Sequence, residues 1–201
     1  MEQDKLQLLT EKARGAYKAL LYDCDGTLAD NMQAHKDTYV QVALQQNVTI
    51  DPQIIDDFAG LPIPAVVEEI NKKYHTTFDP VQFAELKSTL FYTQFIHTTQ
   101  PISFVVDHLK ASAGKYKIGV VSGGSRKMIV KTLEVLGIEH LVDVLVCAGE
   151  TEQGKPYPDP FLKAAKLLNV LPAECIVFED GEAGTTAASA AGMRWIRIDK
   201  I

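Results

Sequence analysis

Apolar residues fall into two textures along this chain. From Ala19 to Tyr22, Ile118 to Val121, Val144 to Cys147, Cys175 to Phe178 and Trp195 to Ile198 they form short, nearly continuous runs. Runs of this length predict strands buried on both faces. Between the later runs lie Phe104, Val105, His108 and Leu109, then Ile129 to Leu136 before Gly137, Phe161 to Leu168, and Ala183 to Ala191 before Gly192. Their spacing predicts helices, two of them stopped by glycine. Strand alternating with helix predicts an α/β fold with a parallel sheet.

Residues 30–100 read differently. Tyr39, Val42, Ala43 and Gln46 space out one helix, and Phe83, Leu86, Leu90 and Phe91 give the last one an apolar face. Asp51-Pro52 and Asp79-Pro80 each predict an N-cap followed by proline at the first helical position. Gly60-Leu61-Pro62-Ile63-Pro64 breaks the chain before Val66, Val67 and Ile70. Leu6, Leu9 and Ala13 predict a short helix ahead of the first strand. The expected organisation is an α/β core from residues 1–29 and 101–201. An all-helical cap, residues 30–100, is inserted after the first strand.

Charge narrows the chemistry. The formal net charge of -6 argues against nucleic acid or an anionic membrane as the partner. The hydrophobic fraction of 46% suffices for a core. No apolar run approaches the roughly 20 residues of a membrane span, and the polar, acidic start does not read as a signal peptide. Cys24, Cys147 and Cys175 are odd in number and set in apolar runs, which predicts reduced thiols and a cytoplasmic protein.

The candidate chemistry follows the strands. Asp23 and Asp25 come after the first, and alternate residues of an extended chain point the same way. Ser122-Gly123-Gly124-Ser125 follows the second. Lys155 lies between the third strand and its helix, and Glu179-Asp180-Gly181 follows the fourth. In a parallel sheet these ends share one edge, where open α/β folds bind ligands. Each piece alone reads as a turn, a cap or a surface charge. Together they crowd four acids around one lysine, an arrangement that a hard divalent cation such as Mg²⁺ would balance. One carboxyl could then stay protonated as a general acid.

Asp23-Cys24-Asp25-Gly26-Thr27-Leu28, Ser122, Lys155-Pro156, and Glu179-Asp180 with Gly184 and Ala191-Gly192-Met193 resemble the haloacid dehalogenase superfamily. The closer likeness is to its branch of β-phosphoglucomutase and small sugar-phosphate phosphatases, and it spans about residues 18–198. The resemblance implies a Rossmann-like core with an inserted helical cap. It implies a Mg²⁺-dependent phosphatase with Asp23 as nucleophile and Asp25 as acid and base, with Ser122 and Lys155 on the phosphoryl oxygens. It also implies a metal held by Asp23, the Asp25 backbone carbonyl, Glu179 and Asp180. Thr27, Gly123, His35 and Lys87 match positions near the substrate.

Three departures stand out. Gly123-Gly124 and Gly181 replace residues that are often polar in relatives. Gly60 to Val67 contains no arginine, where relatives commonly place one for a substrate phosphate. That last departure favours hydrolysis over a phosphomutase, the runner-up. A receiver domain would lack the 70-residue insertion. A silent binding protein would have no need of all four motifs. The expected protein is a monomer acting on a small phosphorylated metabolite.

Overall fold

Leu20 and Tyr22 pack into one apolar cluster, Ala19 and Leu21 into another. That alternation places β1 (Ala19–Tyr22) inside a sheet with apolar layers on both faces. The computed structural model describes residues 1–58 and 62–201. They form two units, Met1–Asp30 with Thr99–Ile201, and Asn31–Thr98.

In the first unit, α1 (Glu2–Lys12) precedes β1, and a two-residue ribbon pairs β2 (Ala29–Asp30) with β3 (Gln100–Pro101) where the chain leaves and returns. In the second unit, α2 (Met32–Gln45), α3 (Gln53–Asp57), α4 (Ile63–Tyr74) and α5 (Pro80–Leu90) follow in order. The first unit then continues through α6 (Ser103–Ser112), β4 (Lys117–Val121), α7 (Arg126–Val135), β5 (Val144–Val146), α8 (Asp159–Leu168), β6 (Cys175–Glu179), α9 (Glu182–Ala190) and β7 (Arg194–Arg197). The main sheet runs β5-β4-β1-β6-β7, all parallel. Leu9, Phe104, Leu109, Ile129 and Leu133 cover one face. Phe161, Ala164, Leu168, Ala187 and Ala188 cover the other.

This is the parallel α/β architecture expected from the strand and helix pattern, and the Rossmann-like core that the resemblance implies. β7 is less buried than its apolar run suggests, because it is an edge strand and Trp195 is 40% exposed. β2 and β3 are too short to leave a periodic signal.

The second unit is helical and closes around Tyr39, Val42, Ile54, Val66, Val67, Ile70, Phe78 and Phe83. Asp79 caps α5, accepting from the backbone N–H groups of Val81 and Gln82 at 2.9 Å. Asp51 accepts from Gln53 N at 2.9 Å, but α3 starts after Pro52, so this proline sits one place before the position predicted for it. Gly60 and Leu61 of the predicted chain break lie outside the described residues.

Candidate active site

The sheet register builds the site. β1 lies between β4 and β6, with Tyr22 level with Val120 on one side and Phe178 on the other. Each strand ends in a residue of the candidate set within two positions of that level: Asp23 after β1, Ser122 after β4, and Glu179 at the end of β6. Asp23 N donates to Phe178 O at 2.9 Å, and Ser122 N to Val146 O at 2.9 Å, so strand pairing continues through both residues.

Lys155 ties these ends together. It enters from the loop between β5 and α8. Its ammonium donates to Asp23 Oδ1 at 2.7 Å, Glu179 Oε1 at 2.7 Å and the Val121 carbonyl at 2.8 Å. All three protons of the ammonium thus have acceptors. Its stem passes Phe161, whose ring centre lies 5.3 Å from the nitrogen. Burial alone would lower the pKa of Lys155, but the charges of Asp23 and Glu179 outweigh it and hold it raised.

Asp180 completes the group. Asp23, Glu179 and Asp180 each offer a carboxylate oxygen, and these atoms all lie within 4.8 Å of one another. Three carboxylates against one ammonium leave excess negative charge, and the donors are hard oxygens, so a divalent cation fits here. Burial pushes the Asp23 carboxyl well above the usual range; Lys155 opposes this, while Glu179 and Asp180 reinforce it. Burial and the charge of Glu179 push Asp180 up to about 6, against a hydrogen bond from Thr27.

Several candidate residues have more specific surroundings than the sequence disclosed. Thr27, expected beside substrate, is fully buried, and its hydroxyl donates to Asp180 Oδ1 at 3.1 Å. Ser122 Oγ accepts from the backbone N–H of Gly124 at 3.0 Å. Gly123 is exposed, with open space where a side chain would stand. The Asp25 carboxylate is not part of the three-acid group; its backbone bridges to Ala29. Gly26 has φ +83, and a Cβ there would come within 2.8 Å of Asp180 Cγ, so conformation and space both require glycine. His35 and Lys87 lie in the helical unit and hydrogen-bond each other. The His35 ring stacks on Phe91 at 4.1 Å.

The surroundings of the cysteines disfavour thiolates. All three are free and buried. Burial, with the charges of Asp25 and Asp23, pushes the Cys24 thiol far up. Burial raises Cys147 and Cys175 to about 11. Among the described residues no helix is long and apolar enough to cross a membrane.

Comparison with known proteins places this geometry. The family model for haloacid dehalogenase-like hydrolases matches residues 20–198. The fructose-1-phosphate phosphatase YqaB of Escherichia coli is 30% identical over 177 residues, 88% of this chain and 94% of that protein. The beta-phosphoglucomutase of Bacillus subtilis is 28% identical, over 88% of this chain and 80% of its own. The crystal structure of CbbY from Rhodobacter sphaeroides in complex with phosphate shares the fold at a TM-score of 0.80 and 18% identity, covering 90% of this chain and 85% of that one. With the family's pattern running through nearly the whole sheet and its loops, this chain belongs to the haloacid dehalogenase-like hydrolases, a family of enzymes.

Proposed function

We propose that the chain is a Mg²⁺-dependent phosphatase that hydrolyses a small phosphorylated metabolite, a sugar phosphate, through a phosphoryl group carried on Asp23. The observation that carries this reading is the Lys155 ammonium held between Asp23 and Glu179, beside the three-carboxylate group. The 30% identical relative named as a fructose-1-phosphate phosphatase supports the substrate class.

In the first step a carboxylate oxygen of Asp23 attacks phosphorus. The bond from phosphorus to the sugar oxygen breaks, and Asp25 gives that oxygen a proton. In the second, water attacks the phosphorus of the aspartyl phosphate and passes a proton to Asp25. The bond to Asp23 breaks and its electron pair returns to the carboxylate. Splitting the hydrolysis in this way replaces one hard displacement with two easier ones.

The remaining residues position and stabilise. Lys155 and Ser122 hold phosphoryl oxygens as charge builds on them. Asp23, Glu179, Asp180 and the Asp25 carbonyl would hold Mg²⁺, which adds positive charge at the phosphoryl oxygens. Thr27 orients Asp180. Gly123 leaves room for the phosphoryl group, and His35 and Lys87 recognise the rest of the substrate. The helical unit, Asn31–Thr98, serves as a cap that excludes water. The protein works as a monomer in the cytoplasm.

A phosphomutase would use the same covalent step but must grip a second phosphate, and Gly60 to Val67 supplies no arginine for it. Release of inorganic phosphate from fructose 1-phosphate, glucose 6-phosphate and β-glucose 1-phosphate, with Mg²⁺ and with chelator, tests the reading. Mg²⁺-dependent release is expected from at least one sugar phosphate. Interconversion of the glucose phosphates without release would overturn it.

A further inference from the structure

Glu179 is buried at the end of β6, 3% exposed, and both its oxygens are committed. Oε1 accepts from Lys155 Nζ at 2.7 Å, and Oε2 accepts from the backbone N–H of Gly181 at 2.7 Å. To make both bonds the carboxylate lies against the first turn of α9, on Gly184. A Cβ added to Gly184 would overlap Oε1 and come within 2.6 Å of Glu179 Cγ.

The backbone does not explain glycine at this position. Gly184 is helical and absent from the positive-φ residues, so alanine could adopt its backbone without strain. Alanine is also the better helix former. Helix propensity and burial both favour a methyl group there, yet the three atoms nearest to such a group all belong to the Glu179 side chain. We infer that Gly184 is a positioning residue whose missing side chain is the seat of the Glu179 carboxylate. Through Glu179 it fixes where the Lys155 ammonium meets Asp23.

The catalytic half of this inference rests on the phosphatase reading; the fit between the two side chains does not. Glu179→Asp removes one methylene from the acid, and Gly184→Ala adds one methyl to the helix. The pair together conserves volume, the kind of swap that packed interiors tolerate best.

A double-mutant cycle tests the fit, read both by phosphate release and by melting temperature. Gly184→Ala is expected to lower kcat by about a hundredfold, more than it changes KM, because it displaces a charge partner of the transferring group. Glu179→Asp alone should cost about tenfold, and the double variant should regain about tenfold over Gly184→Ala, since contacting residues couple. Its melting temperature should fall by less than the sum of the single changes. Wild-type kcat in Gly184→Ala, or strict additivity in both readouts, overturns the inference. If Gly184→Ala does not fold, Gly184→Ala with Glu179→Ala must be no less stable than Glu179→Ala alone, because the clash is gone; a further loss there also overturns it. Should the wild-type protein release no phosphate, the phosphatase reading falls, while the melting-temperature cycle still decides the fit.

Discussion

The Lys155 ammonium lies 2.7 Å from Asp23 Oδ1, with both side chains only about a tenth exposed. An ion pair this dry matters most when one half is removed. Lys155→Met would leave Asp23 and Glu179 facing each other without a counter-charge. Breaking a buried pair from one side costs about 3–5 kcal/mol. The variant should unfold at correspondingly lower denaturant and lose about a thousandfold or more in phosphate release. The two acids would then bind protons more tightly folded than unfolded, so the stability deficit should shrink as pH falls. Lys155→Arg should not restore activity, because a planar guanidinium cannot reach three acceptors set around one nitrogen. Wild-type stability in Lys155→Met would contradict the pairing.

Metal affinity should titrate with Asp180. Its carboxyl is raised to about 6 by burial and by Glu179. Below that pH the Asp180 proton must leave before a cation binds, and above it Asp180 competes no longer. Calorimetric Mg²⁺ affinity should therefore fall more steeply below pH 6 than above it, by about a further tenfold per unit. Saturating Mg²⁺, at a hundred times its dissociation constant, should stabilise the fold by about 2.7 kcal/mol. Asp180→Asn should remove most of both effects. An Mg²⁺ affinity independent of pH between 5 and 8 would count against Asp180 as a ligand.

Much of the fold was legible because β1, β4 and β6 lie inside the sheet with both faces covered and so read as apolar runs, and because Gly137 and Gly192 stop helices at φ +68 and +71. The acids after β1 and β6 and the lysine before α8 could be found as well, since their order along the chain maps onto one edge of a parallel sheet. Backbone partners were beyond reach: the Val121 carbonyl accepts from Lys155 at 2.8 Å, close to the 2.7 Å of each acid, and any residue type offers a carbonyl. The partner of the Thr27 hydroxyl was out of reach too: the resemblance implies a position near the substrate, and only the folded chain brings the hydroxyl to Asp180, 153 positions away.

Away from the site, His108 should make the fold sensitive to mild acid. Its ring is buried against Phe178, and its Nδ1 lies 2.8 Å from the Tyr22 hydroxyl. Burial lowers its pKa from 6.5 to about 4. Between those values the unfolded chain takes up a proton that the folded chain refuses, so stability declines as pH falls from 6.5 and the loss is complete below 4. The loss should approach about 3 kcal/mol across that window. His108→Gln, which keeps an acceptor for Tyr22, should be less stable at neutral pH yet show a flatter dependence. The test is urea unfolding at half-unit pH intervals for both proteins; equal slopes would rule His108 out.

The two aspartates after β1 should fail in different ways. Asn at position 23 has no carboxylate to attack phosphorus, so Asp23→Asn should fold normally, form no phosphoenzyme and lose all measurable turnover. Asn at position 25 cannot donate or accept the proton, but p-nitrophenolate is a good enough leaving group to depart without one. Asp25→Asn should therefore take up one phosphoryl group per chain from p-nitrophenyl phosphate and then stall, because no base remains to activate water. Rapid-quench experiments should show a burst of nitrophenolate of about one equivalent, followed by a steady rate reduced by about a hundredfold or more. Acid-stable radioactivity from labelled substrate should map to Asp23. If the label lands on another residue, or if Asp25→Asn shows no burst while binding substrate normally, the division of labour between the two carboxylates fails.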